Sequence, residues 1–285
     1  MLLKRLAFFG GKGGVGKSTL ACATALRLSQ EGKTLLVSID PAHSISGIFG
    51  FPVGSQLKEV SKNLYAVELE GERLVEEYAK RVLEAISGLT PSVRRGLMAY
   101  AEYLRLSPTA LETAMLDRLV DFIMEGYEYI MVDSAPTGQL IRLFKSLQAV
   151  RGWFELLRRV AKERQKVEAF MGREDRLLKI VEERRKRLEF LSEVLSKKGI
   201  LFAVAREEPL SLEEASRLEK ELKGYIEVRR VINCWRSMEG NFLKVEEVEK
   251  PYGLEGLKRI PAAGLVDAIK RYLDGRPDEY PHVSS

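Results

Sequence analysis

Short unbroken apolar runs alternate with helix-spaced apolar stripes along most of the chain. Leu6-Ala7-Phe8-Phe9 is such a run; GGKGGVGKST follows, and then Leu20, Thr24, Leu26 and Leu28 predict a buried helix stopped at Gly32. Thr34-Leu35-Leu36-Val37-Ser38-Ile39 reads as a second buried strand ending on Asp40-Pro41, so the interval has the length of one strand–helix–strand crossover. Asn63 to Glu68 is a weaker strand. Leu74, Tyr78, Val82 and Ile86 recur every fourth residue and predict a helix over 71–88; Met115, Leu119 and Ile123 predict another over 110–125. Tyr129 to Asp133 is apolar and again ends on aspartate. Gly199 to Val204 and Val228 to Asn233 supply two more strands, separated by a helix that Ser211 and Glu214 would open as a capping box.

Strands alternating with helices predict an α/β fold with a doubly wound, mostly parallel sheet that binds ligands at the carboxyl ends of its strands. The spacing is uneven. Between Asp133 and Ile200 lie 66 residues, and the stretch 52–128 is also far longer than the dozen or so a crossover requires. An α-helical subdomain is therefore expected, contributed by about 70–127 and 145–198. No Pro- or Gly-rich linker marks a separate unit, so residues 1–275 read as a single domain and 276–285 as a disordered tail.

Composition adds limits. The 285 residues are 45% hydrophobic and 31% charged, which suits a folded chain and excludes a disulfide scaffold or wholesale disorder. Lys and Arg outnumber Asp and Glu by 46 to 41, a net of +5 that invites a nucleic-acid or membrane reading. The stretch from Arg151 to Arg187 alone carries +6, leaving the remainder at −1. The excess is local, and specific nucleic-acid binding is not expected. Two cysteines, Cys22 and Cys234, and two histidines offer no metal or disulfide framework, so no zinc is expected and the compartment reads as cytoplasmic and reducing. No signal peptide or membrane span is apparent. Scarce Asn and Gln amid abundant Glu, Lys and Arg suit a thermophile.

The run from Gly11 through Lys12, Gly13, Gly14, Val15, Gly16 and Lys17 to Ser18 and Thr19 satisfies GxxxxGK[ST] between a strand and a helix. Glycines let backbone amides converge on phosphate, the following helix adds its positive end, Lys17 would reach the β/γ oxygens and Ser18 would ligate Mg2+. A P-loop NTPase is predicted. A chance glycine turn would lack the flanking strand and helix.

The loop GKGGVGKST resembles the deviant Walker A loop of the MinD, ParA, NifH and ArsA class of dimeric ATPases. In that class the early lysine, here Lys12, reaches the partner's nucleotide, which implies a homodimer with ATP and Mg2+. Two further segments narrow the resemblance: Ser38-Ile39-Asp40-Pro41-Ala42-His43-Ser44, and Val132-Asp133-Ser134-Ala135-Pro136-Thr137-Gly138-Gln139. Both are similar to those of the arsenical pump and tail-anchored-protein targeting ATPase family, as are NLYAVELE and the stretches at Glu208 and Asn233. The resemblance implies that Asp40 orients the attacking water, Asp133 holds Mg2+ through its water shell, and Gly138 senses the γ-phosphate. It also implies Asn233 and Pro261 near adenine and Glu208 near nucleotide at the dimer interface. Plain strand-end capping remains the alternative for Asp40 and Asp133, and His43 reads as structural beside an aspartate already in the catalytic position.

Departures from the family pattern carry equal information. The region NCWRSMEG has no second cysteine for a shared zinc, and two isolated cysteines cannot form the three-thiolate metalloid site of the arsenite branch. Cys22 reads as buried filler, and Gln139 and Ser44 replace the usual histidine and asparagine. The resemblance therefore implies an ATPase switch that binds and delivers hydrophobic, tail-anchored clients, transiently at a membrane surface. The alternatives are an ATPase subunit driving an arsenite-type pump through a membrane partner, and a MinD- or ParA-like positioning protein. Leu177, Val181, Leu188, Leu191 and Leu195 form an apolar stripe beside Arg184 to Arg187. It reads either as core-facing with a solvated basic back or as a client groove lined by Trp153, Phe154, Leu156, Leu157, Phe170 and Met171. Met98, Met115, Met124 and Met171 are too few and scattered to form a methionine-rich groove.

Overall fold

A computed structural model describes residues 3–40, 44–86, 110–134, 136–148 and 176–271. Eight strands form one sheet: β1 (Arg5–Gly10), β2 (Thr34–Ser38), β3 (Lys58–Ser61), β4 (Leu64–Glu68), β5 (Tyr129–Asp133), β6 (Gly199–Ala205), β7 (Glu227–Trp235) and β8 (Leu243–Glu246). Their order is β3-β4-β2-β5-β1-β6-β7-β8, and every pairing is parallel except that of β3 with β4. The expected α/β, doubly wound, mostly parallel sheet is present. The central strands are buried on both faces, which is why they read as unbroken apolar runs.

Side-chain alternation sorts those runs into two cores. Ala7, Phe9, Leu36, Met131 and Phe202 face α1 (Lys17–Leu28), α2 (Ser44–Phe49), α8 (Gly253–Arg259) and α9 (Ala263–Arg271), meeting Leu20, Ile45, Leu257 and Leu265. Phe8, Leu35, Val37, Val132 and Leu201 face the other way. There they meet α3 (Gly71–Ile86), α4 (Ala110–Met124), α5 over 137–148, α6 (Arg176–Lys198) and α7 (Pro209–Leu222). Phe8 packs edge-on against Phe144 of α5 at 5.2 Å. Each fully buried leucine or phenylalanine contributes about 1.5–3 kcal/mol, so both layers clamp the sheet.

The predicted helices over 71–88 and 110–125 appear as α3 and α4, and Leu74, Tyr78, Leu116 and Leu119 are buried in the same core as Phe8 and Val37. In α6, Leu191 and Leu195 are buried in the same core and Leu188 packs half-buried against it, so this part of the stripe faces inward. The neighbouring arginines are not a solvated back. Asp117, buried on α4, accepts from Arg184 at 2.7 Å and Arg187 at 3.0 Å, and Arg187 also reaches Asp121 at 2.6 Å. Arg81 of α3 joins both aspartates, while Arg185 pairs with Glu182 and Glu189 along α6. This network ties three helices together. Trp153, Phe154, Leu156, Leu157, Phe170, Met171, Met98 and the tail lie outside the described residues, as do the side chains of Leu177 and Val181.

One local expectation is corrected. The helix before β7 begins at Pro209, whose fixed φ suits a first helical turn, with Glu208 as its N-cap. Ser211 therefore sits inside the helix, and its hydroxyl accepts from the Arg206 amide at 2.9 Å instead of opening a capping box.

Candidate nucleotide and magnesium site

The phosphate loop leaves β1 at its carboxyl end and enters α1 beneath the loops after β2, β5 and β7. Two glycines are sterically required. Gly11 has φ 145°, and a Cβ there would stand 2.2 Å from the Val204 carbonyl oxygen of β6. Gly16, the N-cap of α1, has φ 95°, and its Cβ would stand 2.3 Å from Asn233 Nδ2. Asn233 in turn donates to the Val15 carbonyl at 2.8 Å, so the end of β7 is fastened to the loop. Val15 is buried, Gly13 and Gly14 are exposed, and Lys12, Ser18 and Thr19 are partly exposed.

Lys17 is only 5% exposed, and its ammonium donates to the Lys12 carbonyl at 3.4 Å across the loop. Among the described residues nothing holds the Lys12 ammonium. Asp133, at the end of β5, is fully buried. Its Oδ2 accepts from Ser38 Oγ at 3.2 Å and lies 3.5 Å from Ser44 Oγ, which donates to Ser18 Oγ at 2.8 Å. Asp133 Oδ1 is buried with no hydrogen-bond partner. Burial pushes this carboxyl up to about 6; the Ser18 hydroxyl and Lys17 charge oppose the shift and Asp40 adds to it.

An ionised carboxylate with an unsatisfied oxygen, beside a hydroxyl and a lysine, is an incomplete site. All its donors are hard oxygens, as Mg2+ requires, and Mg2+ normally takes one or two protein ligands and keeps its remaining waters. The residues fit Mg2+ and a bound polyphosphate. Asp40 follows β2 with its amide 3.4 Å from Ser38 Oγ, and Pro41 to His43 lie outside the described residues.

The structure brings Lys17, Ser18, Asp133 and Asn233 together around one loop. Gly138 lies partly exposed in the first turn of α5. Glu208 and Pro261 stand exposed at the starts of α7 and α9, and Glu208 makes no side-chain cap bond. Sequence reasoning missed Ser38 as a hydrogen-bond donor to Asp133. It also passed over Glu207, whose carboxylate accepts from the amides of Arg236, Ser237 and Met238 and so holds the loop beyond Asn233. Alternation was the available signal. On β2, β5 and β7 the α1-facing positions run Leu36-Ser38, Met131-Asp133 and Val231-Asn233, turning polar at the carboxyl edge.

The family model of the anion-transporting ATPases of the ArsA type matches residues 4–234. "Putative arsenical pump-driving ATPase 2" of Aquifex aeolicus is 34% identical over 260 residues, 87% of each chain. An "Arsenical pump-driving ATPase" of Escherichia coli is 30% identical over 225 residues, 75% of this chain and 36% of that one. A "Putative arsenical pump-driving ATPase" of Prosthecochloris vibrioformis is 36% identical over 158 residues, 52% of this chain and 37% of its own. The chain thus spans most of the Aquifex protein but little over a third of the other two. With a phosphate loop, a buried aspartate at the end of β5 and this breadth of likeness, the chain belongs to the ArsA-type family and is an ATP-hydrolysing enzyme.

Proposed function

We propose that the chain is an Mg2+-dependent ATPase switch, active as a homodimer, that binds hydrophobic helices of membrane proteins and delivers them. The observation that carries the switch is the buried Asp133 carboxylate, with one oxygen unsatisfied, wired through Ser38 and Ser44 to the segments after β2. In this reading Ser18 and Asp133 hold Mg2+, which when bound offsets phosphate charge. Lys17 leaves the Lys12 carbonyl for β/γ oxygens. Asp40 orients the attacking water, and Gly138 lies beside the γ-phosphate. Asn233 reads the adenine edge while keeping the loop in place, and Pro261 lies near the base. Lys12 crosses to the partner's nucleotide, as its unheld ammonium allows, and Glu208 approaches the same interface.

Client contact is assigned to the helical insertion, at 70–127 and 145–198, of a single domain. A hydrophobic cargo is favoured over a metalloid because Cys22 is sealed in the α1-side core, where burial pushes its thiol well above the usual range. Among the described residues no helix is long and apolar enough to cross a membrane. In this reading the membrane is a destination visited from the cytoplasm. The test is co-purification with a C-terminal apolar helix, with and without ATP. Nucleotide-dependent capture supports the reading, and no capture in either state refutes it. The second reading, a pump-driving subunit with a membrane partner, is favoured by the names of the relatives. Stimulation of turnover by arsenite or antimonite would select it.

A further inference from the structure

The polar row at the carboxyl edge does not end at Asp133. Register sets Ser38 beside Asp133 on one side and beside Glu68 on the other, so the three residues stand level at the ends of β5, β2 and β4. On β4 the α1-facing positions run Leu64, Ala66, Glu68, the same turn from apolar to polar. Glu68 is 4% exposed, and no step of phosphate binding or hydrolysis uses it.

A carboxylate at that depth is costly unless donors surround it. Its Oε1 accepts from the Ser46 amide at 3.0 Å, and Oε2 accepts from Ser46 Oγ at 2.7 Å and from the Gly54 amide at 3.3 Å. Ser46 Oγ also accepts from the Val53 amide at 2.9 Å. Ser46 lies two residues beyond Ser44 on α2, and Ser44 holds Ser18 Oγ at 2.8 Å beside Asp133. A path thus runs from the turn at Val53 and Gly54, by hydrogen bonds through Glu68 to Ser46, along two residues of α2 to Ser44, and on to the pair that would ligate Mg2+.

We propose that Glu68 is a positioning residue for the magnesium site: it fixes α2 through Ser46, so that Ser44 presents the Ser18 hydroxyl to the metal beside Asp133. The proposal rests on Ser18 and Asp133 being that site. Two acceptor oxygens are needed, because each faces a backbone N–H, Oε1 that of Ser46 and Oε2 that of Gly54. An amide at position 68 would turn its NH2 group toward one or the other of these N–H donors and break that contact.

The experiment compares the affinity of the full chain for a fluorescent ADP analogue in EDTA and in saturating Mg2+; the ratio isolates the metal's contribution. Glu68→Gln is expected to cut this ratio about tenfold, the usual scale for residues that orient metal ligands, while affinity in EDTA stays unchanged. In steady-state turnover kcat falls and KM holds. Ser46→Ala keeps the backbone bond to Glu68 and is expected to lower the ratio less, in the same direction; it decides the matter if Glu68→Gln does not fold. An unchanged ratio, or equal losses in EDTA and Mg2+, overturns the proposal. A wild-type ratio of one, or Asp133→Asn leaving the ratio intact, defeats the magnesium reading instead.

Discussion

The burial of Asp133 carries a cost that pH should reveal. Unfolded, its carboxyl titrates near 3.8; in the folded chain burial pushes it up to about 6, with Lys17 and the Ser18 hydroxyl opposing and Asp40 reinforcing. The native state therefore holds its proton more tightly, and stability from this group is lost as pH rises from the unfolded value through the folded one. A shift of roughly two units at about 1.4 kcal/mol each makes the ionised form destabilising by about 3 kcal/mol at pH 8, with roughly half already present at pH 5. Asp133→Asn keeps the shape, can still bond Ser38 and Ser44, and carries no charge. In urea unfolding with EDTA, the advantage of the asparagine variant should grow by about 1–2 kcal/mol between pH 5 and pH 8. Mg2+ with ADP should narrow that gap at pH 8 by stabilising the wild type more than the variant. An advantage that is flat with pH, or shrinks as pH rises, would refute the account of Asp133 as a buried carboxylate kept charged for a cation.

Two further predictions concern stability. Gly11→Ala drives a Cβ against the Val204 carbonyl at a left-handed φ and should cost at least about 1–3 kcal/mol together with nucleotide binding. Gly13→Ala meets nothing within 4 Å and should shift stability by less than about 0.5 kcal/mol; equal melting temperatures for the two variants would contradict this steric account. Asp117→Ala takes the carboxylate from Arg184 and leaves Arg187 and Arg81 with Asp121 alone, and should cost about 1.5–3 kcal/mol in denaturant unfolding. Removing the exposed Arg73–Glu77 pair should cost under about 0.5 kcal/mol, and similar losses from the two changes would refute the buried role of Asp117.

The central sheet was legible because four of its strands, β1, β2, β5 and β6, are buried on both faces and leave apolar runs. Edge strands β3 and β8 were not, since each buries a single residue, Val60 or Val245, among charged neighbours. The six-residue α2 is too short to show a helical period. The phosphate loop, Asp133 and Asn233 could be read from local spacing together with family resemblance. Glu68 could not, because its meaning depends on a register partner thirty residues away and on a turn at Gly54. The basic run at Arg184 to Arg187 misled for a related reason: its carboxylates, Asp117 and Asp121, lie on another helix some seventy residues earlier.

The placement of the two sulfurs gives the molecule a built-in reporter. Cys22 is fully enclosed in α1, with burial and the nearby Asp133 and Glu68 charges holding its thiol protonated. Cys234 is partly exposed, with a left-handed backbone conformation at an irregularity near the end of β7, one residue past Asn233. Since these are the chain's two cysteines, a maleimide dye or spin label at neutral pH attaches at Cys234 and spares Cys22. The unmutated protein can thus carry a single probe beside the strand end that grips the phosphate loop, reporting each nucleotide's arrival and departure in real time.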